Sequence, residues 1–90
     1  MNKRLHVYCS GSVQGVGFRY SSERFAISLG ITGWVSNLPD GRVEIFCEGS
    51  AKALEDFLEK IKGVFDRYII DTDIEWGEAT GEFSGFEIRF

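Results

Sequence analysis

Hydrophobic and polar positions along the first half of the chain predict one strand, one helix and a hairpin. Over residues 5–11 apolar side chains at odd positions alternate with more polar ones, which is the period-two pattern of a strand with one buried face. Apolar or small side chains then recur at helical spacing over residues 18–29, which predicts an amphipathic helix over residues 20–29 that ends at Gly30. Residues 31–38 and 42–48 are rich in β-branched and aromatic side chains and predict two strands. Pro39-Asp40-Gly41 has the composition of a tight turn between them.

The second half adds a helix and two strands. Ser50 is a suitable N-cap, and the apolar positions that follow it keep helical spacing as far as Gly63, where this helix is predicted to end. Residues 68–76 and 83–90 are predicted as strands, with a loop over residues 77–81 between them. The order is β-α-β-β-α-β plus a C-terminal strand. It predicts an α+β fold of the ferredoxin-like, split β-α-β type, with an antiparallel sheet and two helices on one face.

Length, composition and charge limit the classes of protein. Ninety residues, 43% of them hydrophobic, are enough for one core, so residues 1–90 are predicted to form a single domain. The net charge of −4 disfavours a nucleic-acid partner, because affinity for phosphate backbones depends on clustered Lys and Arg. No apolar run reaches about 18 residues, and no signal-peptide pattern is present, so no membrane partner is expected. These observations predict a cytoplasmic protein.

The glycine turn, residues 11–19 with the sequence GSVQGVGFR, is the strongest candidate for a binding site. It matches neither a P-loop, because no lysine follows, nor a dinucleotide fingerprint, because Tyr20 stands where the third glycine belongs. A thiol phosphatase is not matched either, since Cys9 is ten positions from Arg19 and lies on the buried side of its strand. Three glycines allow successive backbone N–H groups to point inwards, the helix start adds further donors, and Arg19 supplies a planar fork of N–H groups. The turn is therefore suited to a phosphate or carboxylate, although such turns on their own more often serve only to reverse the chain.

Two sequence blocks together resemble the paired signatures of the acylphosphatase family. They are VQGVGFR at residues 13–19 and GWVSNLPDGRV at residues 33–43, and the chain length, the element order and FEIRF at residues 86–90 are similar as well. The resemblance covers essentially the whole chain. It implies a metal-independent, cofactor-free hydrolase that cleaves the carboxyl–phosphate bond of acyl phosphates to a carboxylate and inorganic phosphate. A related domain opens large carbamoyl-transfer proteins of hydrogenase maturation, but no such long chain follows here, so the free-standing enzyme is expected.

The resemblance also assigns roles to residues. Arg19 would bind the phosphoryl group, and Asn37 would position the attacking water. Backbone N–H groups of the glycine turn would surround the phosphoryl oxygens. The residues that supply them are Gln14, Gly15, Val16, Gly17, Phe18 and Arg19. Ser12 and Ser36 occupy positions where the family often has larger, commonly basic residues, and Cys9 replaces the usual aliphatic residue, which leaves the effect of all three on activity open.

The chemistry of an acyl phosphate is compatible with these residues. Its leaving group is a weakly basic carboxylate, so catalysis can consist of positioning and charge stabilisation. Neither block contains His, Cys or Glu, and their one acid, Asp40, lies in the hairpin turn. Asn37 cannot remove a proton near pH 7, but its amide can orient a water while a phosphate oxygen of the substrate accepts the proton. We therefore predict direct attack by water without a covalent intermediate.

A non-enzymatic ferredoxin-like module that binds RNA or protein is the alternative. The same element order serves RNA-recognition domains, and Tyr8 and Phe46 are predicted to lie on the open face of neighbouring strands. The acidic charge and the lack of a basic, aromatic signature around Phe46 argue against RNA. The resemblance to acylphosphatases instead predicts a monomer that binds an acyl phosphate and inorganic phosphate or a similar anion.

The two cysteines are predicted to be free thiols. If the first and third strands pair antiparallel, the start of one meets the end of the other. Cys9 then lies near Val43 and Cys47 near Leu5, several residues apart along the sheet. A disulfide between the cysteines is therefore not expected.

Overall fold

The computed structural model describes all of residues 1–90 as one five-stranded sheet with two helices. In chain order the elements are β1 (Asn2–Gly11), α1 (Phe18–Ser28), β2 (Thr32–Asn37), β3 (Val43–Ser50), α2 (Ala51–Phe65), β4 (Ile69–Glu78) and β5 (Phe86–Arg89). The strand order in the sheet is β4-β1-β3-β2-β5. The two helices contact each other and pack on the sheet, as the fold class predicted from the sequence requires. Neither helix is long and apolar enough to cross a bilayer.

The sheet is mixed, which corrects one detail of the prediction. β1 pairs antiparallel with β3 and β4, and β2 pairs antiparallel with β3, but β5 lies parallel to β2. The reason is the path of the chain after β4. β4 lies at one edge of the sheet and runs antiparallel to β2. After β4 the chain crosses the sheet and reverses its direction. β5 therefore joins the opposite edge parallel to β2.

The core lies between the sheet and the helices. Alternate residues of the central strands are fully buried there, among them Leu5, Val7, Ile45 and Cys47. Register pairs Leu5 with Cys47 and Cys9 with Val43, which confirms the predicted separation of the cysteines. Both thiols are free and buried. Burial raises the pKa of the Cys9 thiol to about 11 and that of the Cys47 thiol to about 12.

Element ends differ from the sequence prediction at several places, and the largest differences are that β1 begins at Asn2, three residues earlier than predicted, and β5 at Phe86, three residues later. α1 begins two residues earlier than predicted, at Phe18. α2 continues past Gly63 to Phe65, because the Phe65 side chain is an apolar position one helical turn after Ile61 and is buried in the core. β4 continues to Glu78, because β1 begins at residue 2 and its first residues provide pairing partners for the end of β4. The loop before β5 therefore spans residues 79–85.

Candidate active site

The glycine turn connects β1 to α1 and is fixed to the core at both ends. The side chain of Val13 is fully buried near its start, and that of Phe18 is buried at its end, where the ring stacks 4.6 Å from the ring of Phe65. Between them Gly15 and Gly17 have φ angles of 78° and 80°, in the left-handed region that favours glycine. Gly17 is the N-cap of α1. No side chain caps this helix start and no acidic residue lies in its first turn, so backbone N–H groups there stay available to an anion.

A small cleft of about 160 Å³ joins the glycine turn to the end of β2. Its lining residues are Gly15, Gly17, Phe18, Arg19, Tyr20 and Asn37. The structure thus brings Asn37 together with four of the six turn residues predicted from the sequence. Gln14 and Val16 do not line the cleft. Because the Phe18 ring is in the core, Phe18 contributes backbone rather than side chain to the cleft.

Arg19 is the only charged residue of the cleft, and no carboxylate neutralises it. It takes part in none of the salt bridges of the structure. Its guanidinium instead lies over the ring of Phe90, 4.7 Å from the ring centroid. A stacked guanidinium keeps its N–H groups free in its own plane, where two of them can meet two oxygens of a phosphoryl group.

Asn37 is the last residue of β2 and precedes the β2–β3 turn, residues 38–42. Its side-chain oxygen Oδ1 is buried and has no hydrogen-bond partner within the protein. The turn after it is held by two backbone bonds, in which the N–H of Leu38 donates to Arg42 O at 2.8 Å and that of Gly41 to Leu38 O at 3.1 Å. Asn37 therefore presents an unused acceptor from a well-fixed position.

Asp40 serves the β2–β3 turn rather than the cleft. Its carboxylate accepts from the backbone N–H of Arg42 at 3.1 Å and from Arg42 Nε at 2.8 Å. The backbone bond first, and then the side-chain bond, lower the pKa of Asp40. The cleft itself contains no carboxylate, imidazole or thiol. No group of three or more His, Cys, Asp or Glu residues is arranged to hold a metal ion.

The sequence did not indicate two further residues, Tyr20, which lines the cleft, and Phe90, which contacts Arg19. The side chain of Tyr20 is 63% exposed although aromatic, and Phe90 lies directly after β5 beneath Arg19. An exposed aromatic residue next to the glycine turn is a usable sequence signal, which would have found Tyr20. The contact of Phe90 depends on the strand order, which no local pattern reveals.

The open face of the sheet carries the aromatic residues that motivated the RNA-binding alternative. The ring of His6 stands between those of Tyr8 and Phe46, at centroid distances of 4.8 and 4.6 Å. Phe46 is further covered by the guanidinium of Arg4, 4.5 Å from its centroid, and by the ring of Phe83 at 5.8 Å. A ring enclosed by its own neighbours has little face left for a nucleobase.

A family model described as acylphosphatase matches residues 5–88. The chain belongs to the acylphosphatase family. An acylphosphatase of Trichormus variabilis is 45% identical over 87 residues, which cover 96% of this chain and 85% of that relative. An acylphosphatase of Methylococcus capsulatus is 44% identical, with 96% of this chain and 95% of the relative covered.

A solved structure gives the same result for the fold. The crystal structure of acylphosphatase from Bacillus subtilis superposes with a TM-score of 0.89 at 32% identity, and the match covers 98% of this chain and 99% of that one. These findings confirm the resemblance that the two sequence blocks carry. They also confirm the α+β fold class.

Proposed function

We propose that the chain hydrolyses the carboxyl–phosphate bond of acyl phosphates in the cleft between the glycine turn and Asn37. Membership of the acylphosphatase family makes the chain a hydrolase of acyl phosphates. The observation that supports this site is that Arg19 and Asn37 line the same cleft. Each residue comes from one of the two sequence blocks, and neither block alone would form a reactive site.

The glycine turn forms the phosphate-binding half of this proposal. Backbone N–H groups of the turn residues that line the cleft, Gly15, Gly17, Phe18 and Arg19, surround the phosphoryl oxygens, with the positive end of the helix dipole behind them. Arg19 contributes the one full positive charge, which has no carboxylate partner to compete with the substrate. This half binds the substrate and also stabilises the negative charge that spreads over the oxygens in the transition state. Inorganic phosphate or a similar anion is the expected ligand after the reaction.

Asn37 forms the water-positioning half. The Asn37 side chain lines the cleft, where its amide hydrogen-bonds a water so that a lone pair of the water faces the phosphorus. The water oxygen forms a bond to phosphorus while the bond to the carboxyl oxygen breaks, and the electron pair leaves with the carboxylate. The proton of the water passes to a phosphate oxygen. No side chain of the cleft has to give or take a proton, in agreement with the absence of ionisable groups other than Arg19 and Tyr20.

Hydrolysis of benzoyl phosphate without added metal tests this proposal. Arg19→Gln and Asn37→Ala should each lower kcat/KM by a factor of about 100 to 1,000, the usual loss when one preorganised catalytic donor is removed. Arg24→Gln and Asn2→Ala are matched controls, because both residues are exposed and neither lines the cleft, and they should keep wild-type activity. Unchanged activity in Arg19→Gln would refute the site.

Isotope labelling distinguishes the proposed attack from other routes. In ¹⁸O-water, attack at phosphorus places the label in inorganic phosphate, whereas attack at the acyl carbon places it in the carboxylate. Rapid quenching with ³²P-labelled substrate should leave no label on the protein. A labelled protein would contradict the direct displacement.

A monomer and a cytoplasmic location stay predictions from the sequence. The lining residues of the cleft all fall within positions 15–37 of the chain, which supports a monomeric enzyme. Light scattering during size-exclusion chromatography measures the mass directly and should give that of one 10.2 kDa chain.

A further inference from the structure

The side chain of Gln14 joins the two halves of the site. Its Nε2 donates to the backbone oxygen of Leu38 at 2.8 Å and to that of Arg42 at 3.0 Å. Leu38 directly follows Asn37, and Arg42 is at the other end of the β2–β3 turn. The side chain of a residue in the phosphate-binding half thus holds the segment that carries the water-positioning residue.

No other hydrogen bond makes this connection. Backbone bonds outside the regular elements join the glycine turn only to the Tyr68 carbonyl and within α1, and no side-chain bond other than those of Gln14 links residues 12–19 to residues 37–43. Both partners of Nε2 are carbonyl oxygens, which only accept, so the nitrogen of the Gln14 amide must face them. Each carbonyl also accepts the backbone N–H that closes the β2–β3 turn. The amide therefore binds an already rigid turn at both of its ends.

We propose that the Gln14 side chain is a positioning residue that sets the distance between the phosphate-binding half and Asn37. The inference rests on the roles proposed above for Arg19 and Asn37. Direct displacement requires the water on Asn37 to stand about 3 to 3.5 Å from the phosphorus, in line with the leaving oxygen. Gly15 and Gly17 make the glycine turn easy to distort, and the Gln14 amide supplies a fixed connection at its start.

Loss of this connection should affect turnover more than phosphate binding. Without the Gln14 amide each half keeps its own structure, because Val13 and Phe18 are buried and the β2–β3 turn is closed by its own bonds. What changes is the placement of one half relative to the other. A misplacement of about 1 Å can reduce a rate about 100-fold, so we expect kcat to fall between about 10- and 100-fold. The inhibition constant of inorganic phosphate should change far less.

Gln14→Met and Gln14→Glu test this inference in the full chain. Methionine has a similar length and no donor, and glutamate has the same shape but presents only acceptors to the two carbonyls. Ser84→Ala is the control, since Ser84 is exposed in the loop of residues 79–85 and does not line the cleft. Both Gln14 variants should show a lower kcat on benzoyl phosphate with a nearly unchanged inhibition constant for inorganic phosphate. Ser84→Ala should match the wild type in both.

Combination with Asn37→Ala identifies how Gln14 acts. If the amide works by placing Asn37, Gln14→Met should cause no further loss of kcat in the Asn37→Ala background. Full additivity, or an equal loss of kcat and of phosphate affinity, would refute the inference. Gln14→Met with wild-type kcat next to an inactive Asn37→Ala would also refute it and leave the proposed function standing. Wild-type kcat in Asn37→Ala would refute both.

Discussion

Glu48 is expected to be the most important charged residue for stability, although it lies outside the cleft. It is on the open-face side of β3, yet only 3% of it is exposed. Its carboxylate accepts from Arg4 Nε at 2.9 Å and from the backbone N–H groups of Thr80 and Gly81, both at 2.9 Å. Arg4 also contacts Glu82. Glu48 therefore connects β1, β3 and the loop of residues 79–85.

The size of the effect follows from burial. Removal of one partner of a buried ion pair costs about 3 to 5 kcal/mol, mainly because the other charge is left without compensation. In Glu48→Ala the guanidinium of Arg4 keeps Glu82, and water can reach the exposed residues Thr80 and Gly81, so the lower limit of about 3 kcal/mol applies. For a chain of this size that loss lowers Tm by roughly 12 to 24 °C.

Glu78→Ala is the matched control for Glu48→Ala. Both glutamates bind a cation of β1, but Glu78 pairs with Lys3 at 2.9 Å and its side chain is 74% exposed. Exposed pairs contribute under about 1 kcal/mol. Urea unfolding followed by circular dichroism measures both variants. Equal losses of unfolding free energy in the two variants would contradict the importance of Glu48 burial.

The same carboxylate predicts a dependence of stability on pH. Burial by itself raises the pKa of Glu48, but the hydrogen bonds from Thr80, Gly81 and Arg4 outweigh it, so that the pKa lies below its ordinary value of 4.5. The folded chain therefore holds this proton less tightly than the unfolded chain, and stability rises with pH in the acidic range. The difference in unfolding free energy between wild type and Glu48→Gln should be complete near pH 7 and shrink below pH 4.5. A difference that grows on acidification would refute this assignment.

Three further predictions follow from burial, backbone angles and the cation–π contact. Cys9 and Cys47, both buried with raised pKa values, should react with a thiol reagent at pH 8 only after denaturation, and rapid reaction of the folded chain would show that the core opens. Gly17→Ala should lower the unfolding free energy measured in urea by about 1 to 2 kcal/mol and should also lower kcat/KM. No atom would clash with the new methyl group, but the φ of 80° at this position is unfavourable for alanine. Wild-type stability of the variant would contradict this prediction. Phe90→Ala should reduce kcat/KM on benzoyl phosphate about two- to five-fold. This factor corresponds to the loss of an exposed cation–π contact with Arg19, which contributes about 0.5 to 1 kcal/mol. Phe90→Trp keeps an aromatic ring and should retain wild-type kcat/KM.

The register of the central strands was predictable because burial on one face determines it. A shift by one residue between β1 and β3 would move Leu5, Val7 and Cys9 out of the core, so the alternating pattern permits only even shifts. The element order and the two sequence blocks then brought Arg19 and Asn37 to one end of the sheet. Local patterns and the family resemblance were sufficient for these features.

Features that depend on side chains far apart in the sequence were not predictable. In the alternating pattern of β3, Glu48 falls at a position of the open face, where an exposed side chain is expected. The loop of residues 79–85 covers this position and buries the Glu48 side chain. The Gln14 amide reaches carbonyls 24 and 28 positions away, with no local signal that it will do so. Gly63 was a reasonable end for α2 by propensity alone. The buried ring of Phe65 outweighs that preference.

The parallel pairing of β5 has a consequence for the site itself. Gly33 pairs with Phe86 and Ser36 with Arg89, so the C-terminal ends of β2 and β5 lie at the same end of the sheet. Asn37 directly follows Ser36, and Phe90 directly follows Arg89, which places the ring beneath Arg19 next to the residue proposed to position the water. If β5 were antiparallel to β2, its first residue would lie at this end of the sheet, and Phe90 would lie at the opposite end. The detail of topology that the sequence did not reveal is therefore the one that supplies Arg19 with its aromatic support, and a change that shifts β5 along β2 should disturb Arg19 through Phe90 and the core through Phe86 and Ile88.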